Sequence, residues 1–569
     1  MKFILLSFFV LISLCLFSQY EMSSNKSPSY PELIEILSGM ADSSDAIQLY
    51  NMGSSDYGLP IYLCVVNGGR DSLSTFKKAK EETTILFNNA IHPGEPDGIN
   101  AMLIWLEKIA MNPNSLMDLP VVTFIPAYNV GGMMNRSSHS RANQNGPLEY
   151  GFRGNTQNLD LNRDFIKMDS KNAFTFTKIF QALDPDIFVD NHVSNGADYQ
   201  YTLTYISNLE SRMSPSIKKM TTESLIPNLE TALKSNYDID LFPYVDLVGK
   251  TPEQGITSFN DLPRYSMGYV GLFHTIGFTV ETHMLKPFPS RVRATYAFMD
   301  ELIKWTASHK SLIEKSRNQA RDYTSLNADL FFNYKRVAET NDSILFKGYE
   351  HSFPKHKITG LKRLKYDTLM PYEKYIPHFN SFQPLDTLSV PRFYFVGRQE
   401  KDVVKRLKAN KVELTKIKND TSLTLGVFRV IDFESSKKPY EGHFQLTNPL
   451  IEKEQELVKL KRGDWMISTH QKNALFIHSV LQPETEDSYL SWNFFDSYLQ
   501  QKEYFSSYVF VDKIGDILKK DPQLKRSYKK KLKEDEAFRN SEWDQLYYIY
   551  IHSPYFEKTY GVLPVYYQN

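Results

Sequence analysis

Thr83-Thr84-Ile85-Leu86-Phe87-Asn88-Asn89-Ala90-Ile91-His92-Pro93-Gly94-Glu95-Pro96 joins an apolar, strand-like run to a loop broken by two prolines and a glycine. Pro93, Gly94 and Pro96 exclude a regular helix through the loop. Asp97 through Ile109 then carries apolar residues at helical spacing, so a strand, a tight turn and a helix follow in order. The turn presents His92 and Glu95 together, and an imidazole with a carboxylate supplies two of the ligand types that zinc accepts. An H-x-x-E spacing by itself is common, and a capping or surface role is its default reading. Its weight depends on the rest of the chain.

The same alternation recurs on both sides. Leu119 to Ile125 is an apolar run. Asp186 to Asp190 is another, preceded by the helical stretch Ala173 to Leu183. Ile276 to Glu281 is a further strand candidate, followed by the helix-like Arg291 to Lys304. Such alternation predicts an α/β domain over 19–320 with a mixed, mostly parallel central sheet flanked by helices. Function in open sheets of this type gathers on loops at the carboxyl ends of the strands. His92, Asp190-Asn191-His192 and Glu281 fall at or just past such ends.

The texture changes after Lys315. Regions 327–350 and 391–450 read as short strands separated by polar turns, with a helix over Asp402 to Asn410. Residues 325–569 are expected to form a mostly β or α+β accessory region. Its aromatic run Tyr489-Leu490-Ser491-Trp492-Asn493-Phe494-Phe495 reads as packing, and the lysine-rich stretch Lys519 to Lys533 as a solvated helix face.

Across 569 residues, Lys+Arg and Asp+Glu balance at 66 each, which argues against a nucleic-acid or polyanion partner. Met1-Lys2 precedes an apolar run from Phe3 to Phe17 and then Ser18-Gln19. This is the pattern of a secretory signal over 1–18, and the run is shorter than the roughly 20 residues of a membrane-spanning helix. An exported protein, periplasmic or extracellular, with no membrane span in the mature chain is expected. Leu14 argues against lipid attachment at Cys15, and Cys64, in an apolar run, reads as core. Cys64 alone would remain after cleavage, so no internal disulfide is expected.

Three further stretches carry chemistry. His192 follows the apolar run Phe188-Val189, and two histidines with one carboxylate leave a coordination position for water, as catalytic zinc sites do. Asn158-Leu159-Asp160-Leu161-Asn162-Arg163 offers a guanidinium that can grip a carboxylate bidentately, with Asn162 as a neutral donor beside it. Gly277-Phe278-Thr279-Val280-Glu281-Thr282-His283 places a glutamate where an apolar strand closes, and desolvation there suits a general base. His274 and His283 flank that glutamate and are read as non-ligands.

In the order His92, Glu95, Asn162-Arg163, His192, Glu281, the chain resembles the carboxypeptidase A-like zinc metallocarboxypeptidases over roughly residues 30–310. The resemblance implies one zinc per chain held by His92, Glu95 and His192, with Glu281 as general base. It implies that Asn162 and Arg163 bind the terminal carboxylate of a peptide or protein substrate. An upstream arginine would stabilise the oxyanion: Arg141 is the choice, with Arg153 and Arg136 as rivals. A site tyrosine is also implied, with Tyr265 preferred over Tyr269. The chain departs from the family where Asn129-Val130-Gly131-Gly132 replaces Asn-Pro-Asp-Gly. Two other readings use the same residues: a zinc amidohydrolase acting on cell-wall stem peptides or N-acyl amino acids, and a non-catalytic peptide-binding protein. The intact Asn162-Arg163 pair favours the peptidase.

Overall fold

The apolar runs singled out above lie side by side. In the computed structural model, which describes residues 22–112, 118–326, 329–340 and 342–569, they belong to one eight-stranded sheet. Its strands are β1 (Ile47–Ser54), β2 (Pro60–Val66), β3 (Thr84–Asn88), β4 (Val121–Ile125), β5 (Ile187–Ser194), β6 (Leu203–Ser207), β7 (Leu241–Pro243) and β10 (Ile276–His283). The spatial order is β1-β2-β4-β3-β5-β10-β6-β7. The central four, β4-β3-β5-β10, run parallel, as do β6 and β7. The β1-β2, β2-β4 and β10-β6 pairs are antiparallel. The sheet is therefore mixed and mostly parallel, as expected.

Parallel strands must be covered on both faces, which is why their sequences are continuous apolar runs rather than alternating ones. Every residue of β3, β4 and β5 is buried. Helices α1 (Tyr30–Ser43), α2 (Asp97–Met111), α3 (Lys171–Leu183), α4 (Phe288–Ser308) and α5 (Lys310–Leu326) accompany the sheet. α2 packs against α4 and β5, whereas α3 packs against β1 and β2. α3 starts where Ser170 Oγ accepts from Ala173 N at 3.0 Å and stops at Asp184 in a left-handed conformation. Phe87 of β3 stacks on Phe124 of β4 with ring centroids 5.1 Å apart, part of the core that fixes the two strands' spacing.

Beyond α5 the chain builds three further sheets. β11 (Asp329–Arg336) pairs with β14 (Phe382–Ser389). β12 (Ser343–Ser352) and β13 (Lys365–Phe379) join β9 (Ile256–Thr257) and β8 (Asp246–Leu247) in a four-stranded sheet. The last has the order β16 (Thr415–Lys416), β19 (Trp465–Ser468), β15 (Phe393–Val396), β20 (Val562–Gln568), β17 (Thr421–Ser435), β18 (Leu446–Leu460). Helices α6 (Lys401–Ala409), α7 (Ala474–Leu481), α8 (Pro522–Glu534) and α9 (Glu542–Ile551) complete an α+β region. One correction concerns length. β17 and β18 run 15 residues each, not the short strands read from the sequence. Much of this hairpin is exposed, so it lacks the alternating apolar pattern that marks a half-buried strand.

A single buried apolar cluster continues from the main sheet into the C-terminal region. Phe273 stacks on Phe476 at 5.6 Å, and Tyr269 donates to Asn410 Oδ1 at 2.6 Å. The aromatic run behaves as packing, with Tyr489, Trp492 and Phe495 buried. Most of the lysine-rich α8 faces solvent, and Asp521 caps it by accepting from Gln523 N and Leu524 N. Cys64 is buried. The expected signal over 1–18, including Cys15, lies outside the described residues, and no described helix is long and apolar enough to cross a membrane.

Candidate metal centre and active-site cleft

Strand register builds the site. β5 and β10 are parallel neighbours with His192 opposite Glu281 and Asp190 opposite Thr279, so His192 and Glu281 share a face and an edge. Both residues lie two positions before their strands end, at Ser194 and His283, slightly inside the strand termini expected from the sequence. β3 sits on the other side of β5 and delivers the loop that carries His92 and Glu95. That loop is pinned to the one after β4: Tyr128 N donates to Asn89 O at 2.9 Å and Asn129 N to Ala90 O at 3.1 Å. Gly94 is required by a close approach, because a Cβ there would sit 2.6 Å from Arg141 Cδ.

His92, Glu95 and His192 converge, and they are 3, 3 and 4% exposed. His92 Nδ1 lies 3.1 Å from His192 Nδ1 and 3.4 Å from Glu95 Oε1, while His192 Nδ1 lies 3.0 Å from Glu95 Oε2. A tetrahedral ion with bonds of 2.0–2.1 Å needs ligand atoms about 3.3 Å apart. The three side chains fit that spacing. The outward nitrogens both face carboxylates: His92 Nε2 is hydrogen-bonded to Asp160 Oδ1 at 2.9 Å, and His192 Nε2 lies 3.1 Å from Asp190 Oδ2 as a charge pair. Carboxylates behind the imidazoles fix ring orientation and raise ligand basicity, the usual support of metal-binding histidines. Asp190 is held in turn by Ser266 Oγ at 2.7 Å and Asn88 Nδ2 at 3.1 Å.

The electrostatics follow from this crowding. Burial would raise the Glu95 carboxyl, but Arg141 and His92 and the hydrogen bond from His192 hold it well below the ordinary range. Burial works against a charged His192, yet Asp190 and Glu95 push its affinity for a proton well above normal. Three carboxylates around two imidazoles thus make a pocket that attracts a cation. Glu281 differs. Desolvation dominates, Glu95 adds repulsion, and despite His192, Arg141 and Arg153 its carboxyl is pushed up to about 8. Its buried Oε2 has no hydrogen-bond partner among the described residues.

A cleft of about 490 Å³ opens beside these groups. Glu281, Arg141, Arg153, Asn162, Arg163 and Tyr265 all line it, with an apolar wall from Ile206, Tyr244, Phe259, Met267 and Met284. Asn162 accepts from Ser266 N through Oδ1 at 3.2 Å, which keeps its amide NH₂ as the group it can offer a ligand. Arg163 lies over the Tyr265 ring at 4.5 Å, which orients the guanidinium plane. Arg141 Nη1 donates to Glu95 Oε1, and Arg153 Nη1 approaches the same oxygen at 3.6 Å.

Among the rivals, Arg153 lines the cleft with Arg141, while the others lie outside it. Arg136 is spent on the backbone carbonyls of Ser27, Pro28 and Glu149 and does not line the cleft. Tyr269 is buried among Phe165, Phe176, Phe180 and Phe273, away from the site. His283 stacks on Tyr199 and faces Asp198, and His274 meets Thr324, so neither joins the ligands. Asn129, at the turn where the sequence departs from Asn-Pro-Asp-Gly, caps a short helix by accepting from Gly132 N at 2.8 Å. The residues missed were Asp160 and Asp190. Asp190 is two positions before His192 on one strand face, a period-2 relation readable from sequence.

No family model matches the chain. Among curated proteins it is 21% identical over 443 residues to carboxypeptidase 2 of Trichophyton tonsurans, covering 73% of this chain and 74% of that one. It is 20% identical over 441 residues to carboxypeptidase 2 of Trichophyton rubrum, covering 74% and 76%. Among solved structures, a metallo-carboxypeptidase from Burkholderia cenocepacia aligns at 15% identity and a TM-score of 0.36, over 47% of this chain and 66% of that one. The carboxypeptidase A of Helicoverpa armigera aligns at 14% identity and a TM-score of 0.37, over 55% and 80%. The resemblance to carboxypeptidases read from the sequence is borne out by the curated relatives, which match across nearly three quarters of the chain.

Proposed function

We propose that this chain is a zinc-dependent metallocarboxypeptidase that releases residues from the C-termini of peptides. The observation that carries the reading is the convergence of His92, Glu95 and His192 in the same cleft as Glu281 and Arg163. His92, Glu95 and His192 would hold the zinc ion, which when bound would supply an activated water and polarisation of the scissile carbonyl. Glu281, opposite His192 across the strand pair, takes the proton of the attacking water at its carboxylate and hands it to the departing amine.

Arg163 binds the substrate's terminal carboxylate through its fork, with the Asn162 amide beside it. That clamp makes the enzyme an exopeptidase, because an internal peptide bond brings no carboxylate to it. Arg141 supplies the donor for the developing oxyanion, and Arg153 lies close enough to share the charge. The apolar wall of Tyr244, Phe259 and Met267 suits an apolar or aromatic C-terminal side chain. An exported location fits the N-terminal segment.

Digestion of a peptide library read by mass spectrometry tests the reading. Stepwise loss of C-terminal residues, stopped by a chelator and by Glu281→Gln, is the expected result. Internal cleavage, or cleavage that persists in excess chelator, overturns it.

A further inference from the structure

We propose that Glu441, at the tip of the β17–β18 hairpin, is a positioning residue for the metal and carboxylate sites. The inference rests on the function proposed above. Tyr440 and His443 close the hairpin with reciprocal backbone hydrogen bonds of 2.7 and 3.0 Å, leaving Glu441 and Gly442 as the two turn residues. Both have positive φ, 49° and 83°. Two-residue turns of this kind favour Asn-Gly, and glutamate adopts the left-handed conformation only with strain. Strain that persists at a tip invites a functional explanation.

The side chain supplies one. Glu441 Oε2 accepts from Asp160 N at 2.7 Å, across 281 positions of sequence. Asp160 is the hub of the site. Its Oδ1 meets His92 Nε2 at 2.9 Å and accepts from Asn162 N at 2.9 Å, and its Oδ2 accepts from Arg153 Nε at 2.8 Å. A second grip lies on the other wall. Arg264, next to Tyr265, donates to Asp487 from its backbone N at 2.7 Å and from Nε at 2.9 Å. The C-terminal region therefore holds both loops that carry the Arg163–Tyr265 pair.

Glu441→Gly separates this role from a structural one, because it relieves the backbone while deleting the acceptor. The expected result in the full chain is an unchanged or higher melting temperature with zinc affinity, by chelator competition, lowered about 10-fold. Glu441→Gln keeps an acceptor oxygen and should restore affinity to within about twofold of wild type. Wild-type zinc affinity in Glu441→Gly, or an equal fall in Glu441→Gln, overturns the inference. A wild-type chain that binds no zinc instead refutes the reading of the site itself, and this inference with it.

A different observation carries a second inference. The tip of the β12–β13 hairpin holds Lys355, Lys357, Lys362, Arg363 and Lys365 with no acidic residue over 353–365, and none of the five takes part in an ion pair among the described residues. Ile358 is 90% exposed and Leu361 71%. Cations interleaved with bare aliphatic side chains fit an anionic bilayer surface, where the charges meet headgroups and the apolar chains enter the interface. We infer that this hairpin docks the protein on anionic lipid. Co-sedimentation with vesicles of phosphatidylcholine, with and without phosphatidylglycerol, tests it. The full chain is expected to bind the anionic vesicles in low salt, and Lys357→Glu/Lys362→Glu to lose at least about fivefold of that binding. Comparing variants in the same chain separates the hairpin from the apolar run 3–17. Equal binding by the variant, or equal binding to both vesicle types, overturns the inference.

Discussion

The eight-stranded sheet is built around buried apolar strands and the six-stranded sheet ends in a long exposed hairpin, and the polar cluster of the cleft gathers on the first. Parallel strands end on one side, so the polar residues at the ends of β3, β5 and β10 meet: His92 and Glu95, His192, and Glu281. The six-stranded sheet is antiparallel throughout, and its strand ends alternate between opposite edges. Polar residues there are scattered, and its contact with the site is made by a hairpin tip. Topology thus decides where a catalytic constellation can form, while the second sheet contributes from outside as a brace.

The largest expected effect breaks the first region. His192→Ala removes one of the three proposed ligands, and zinc affinity measured by chelator competition should fall more than about 100-fold. Glu281→Gln should lower turnover by about 10²- to 10⁴-fold while zinc affinity stays within twofold or so. The split between turnover and metal binding sharpens the division between ligands and base. Arg163→Ala should lower kcat/KM on unblocked peptides by roughly 100-fold, the loss of a charge-assisted pair, with little change in melting temperature.

The smallest effect concerns stability. His274 and His478 are buried at the junction with the C-terminal region, and burial lowers each to about 3. Each stays neutral in the fold but gains a proton on unfolding below about 6.5, so its contribution is complete above that pH and is lost as pH falls toward about 3. Asp261 works in reverse. Burial raises its carboxyl to about 6, so it stabilises most below about 3.8 and less as pH rises through 6. The two histidines therefore lose stability as pH falls from 7 to 5, whereas Asp261 and Glu281, raised to about 6 and about 8, gain it; denaturant unfolding of wild type against a histidine variant isolates the histidine slope. His478→Gln should flatten that slope.

Legibility in the sequence follows the same contrast. The strand–turn–helix around His92 was readable because Pro93, Gly94 and Pro96 punctuate an apolar run, and His192 and Glu281 were readable because each closes another. Tyr265 and Tyr269 could not be separated by spacing alone. In the fold, helical phase turns Tyr269 into the aromatic core and leaves Tyr265 lining the cleft. Arg136 fell away for a similar reason, being committed to backbone carbonyls. Asp160 and Asp190 carried a readable signal, two positions before Asn162 and His192, that went unused. Glu441 carried none, because no local pattern links a turn glutamate to an amide in another sheet's loop.

The central claim is that this cleft reads a free C-terminus beside a zinc site. Matched peptides with a free or an amidated C-terminus, incubated with the zinc-loaded chain, test it most directly. Release of the terminal residue from the free peptide is expected, with at least about 100-fold slower release from the amidated one, since Arg163 then has no carboxylate to hold. Equal rates on the two peptides would contradict it.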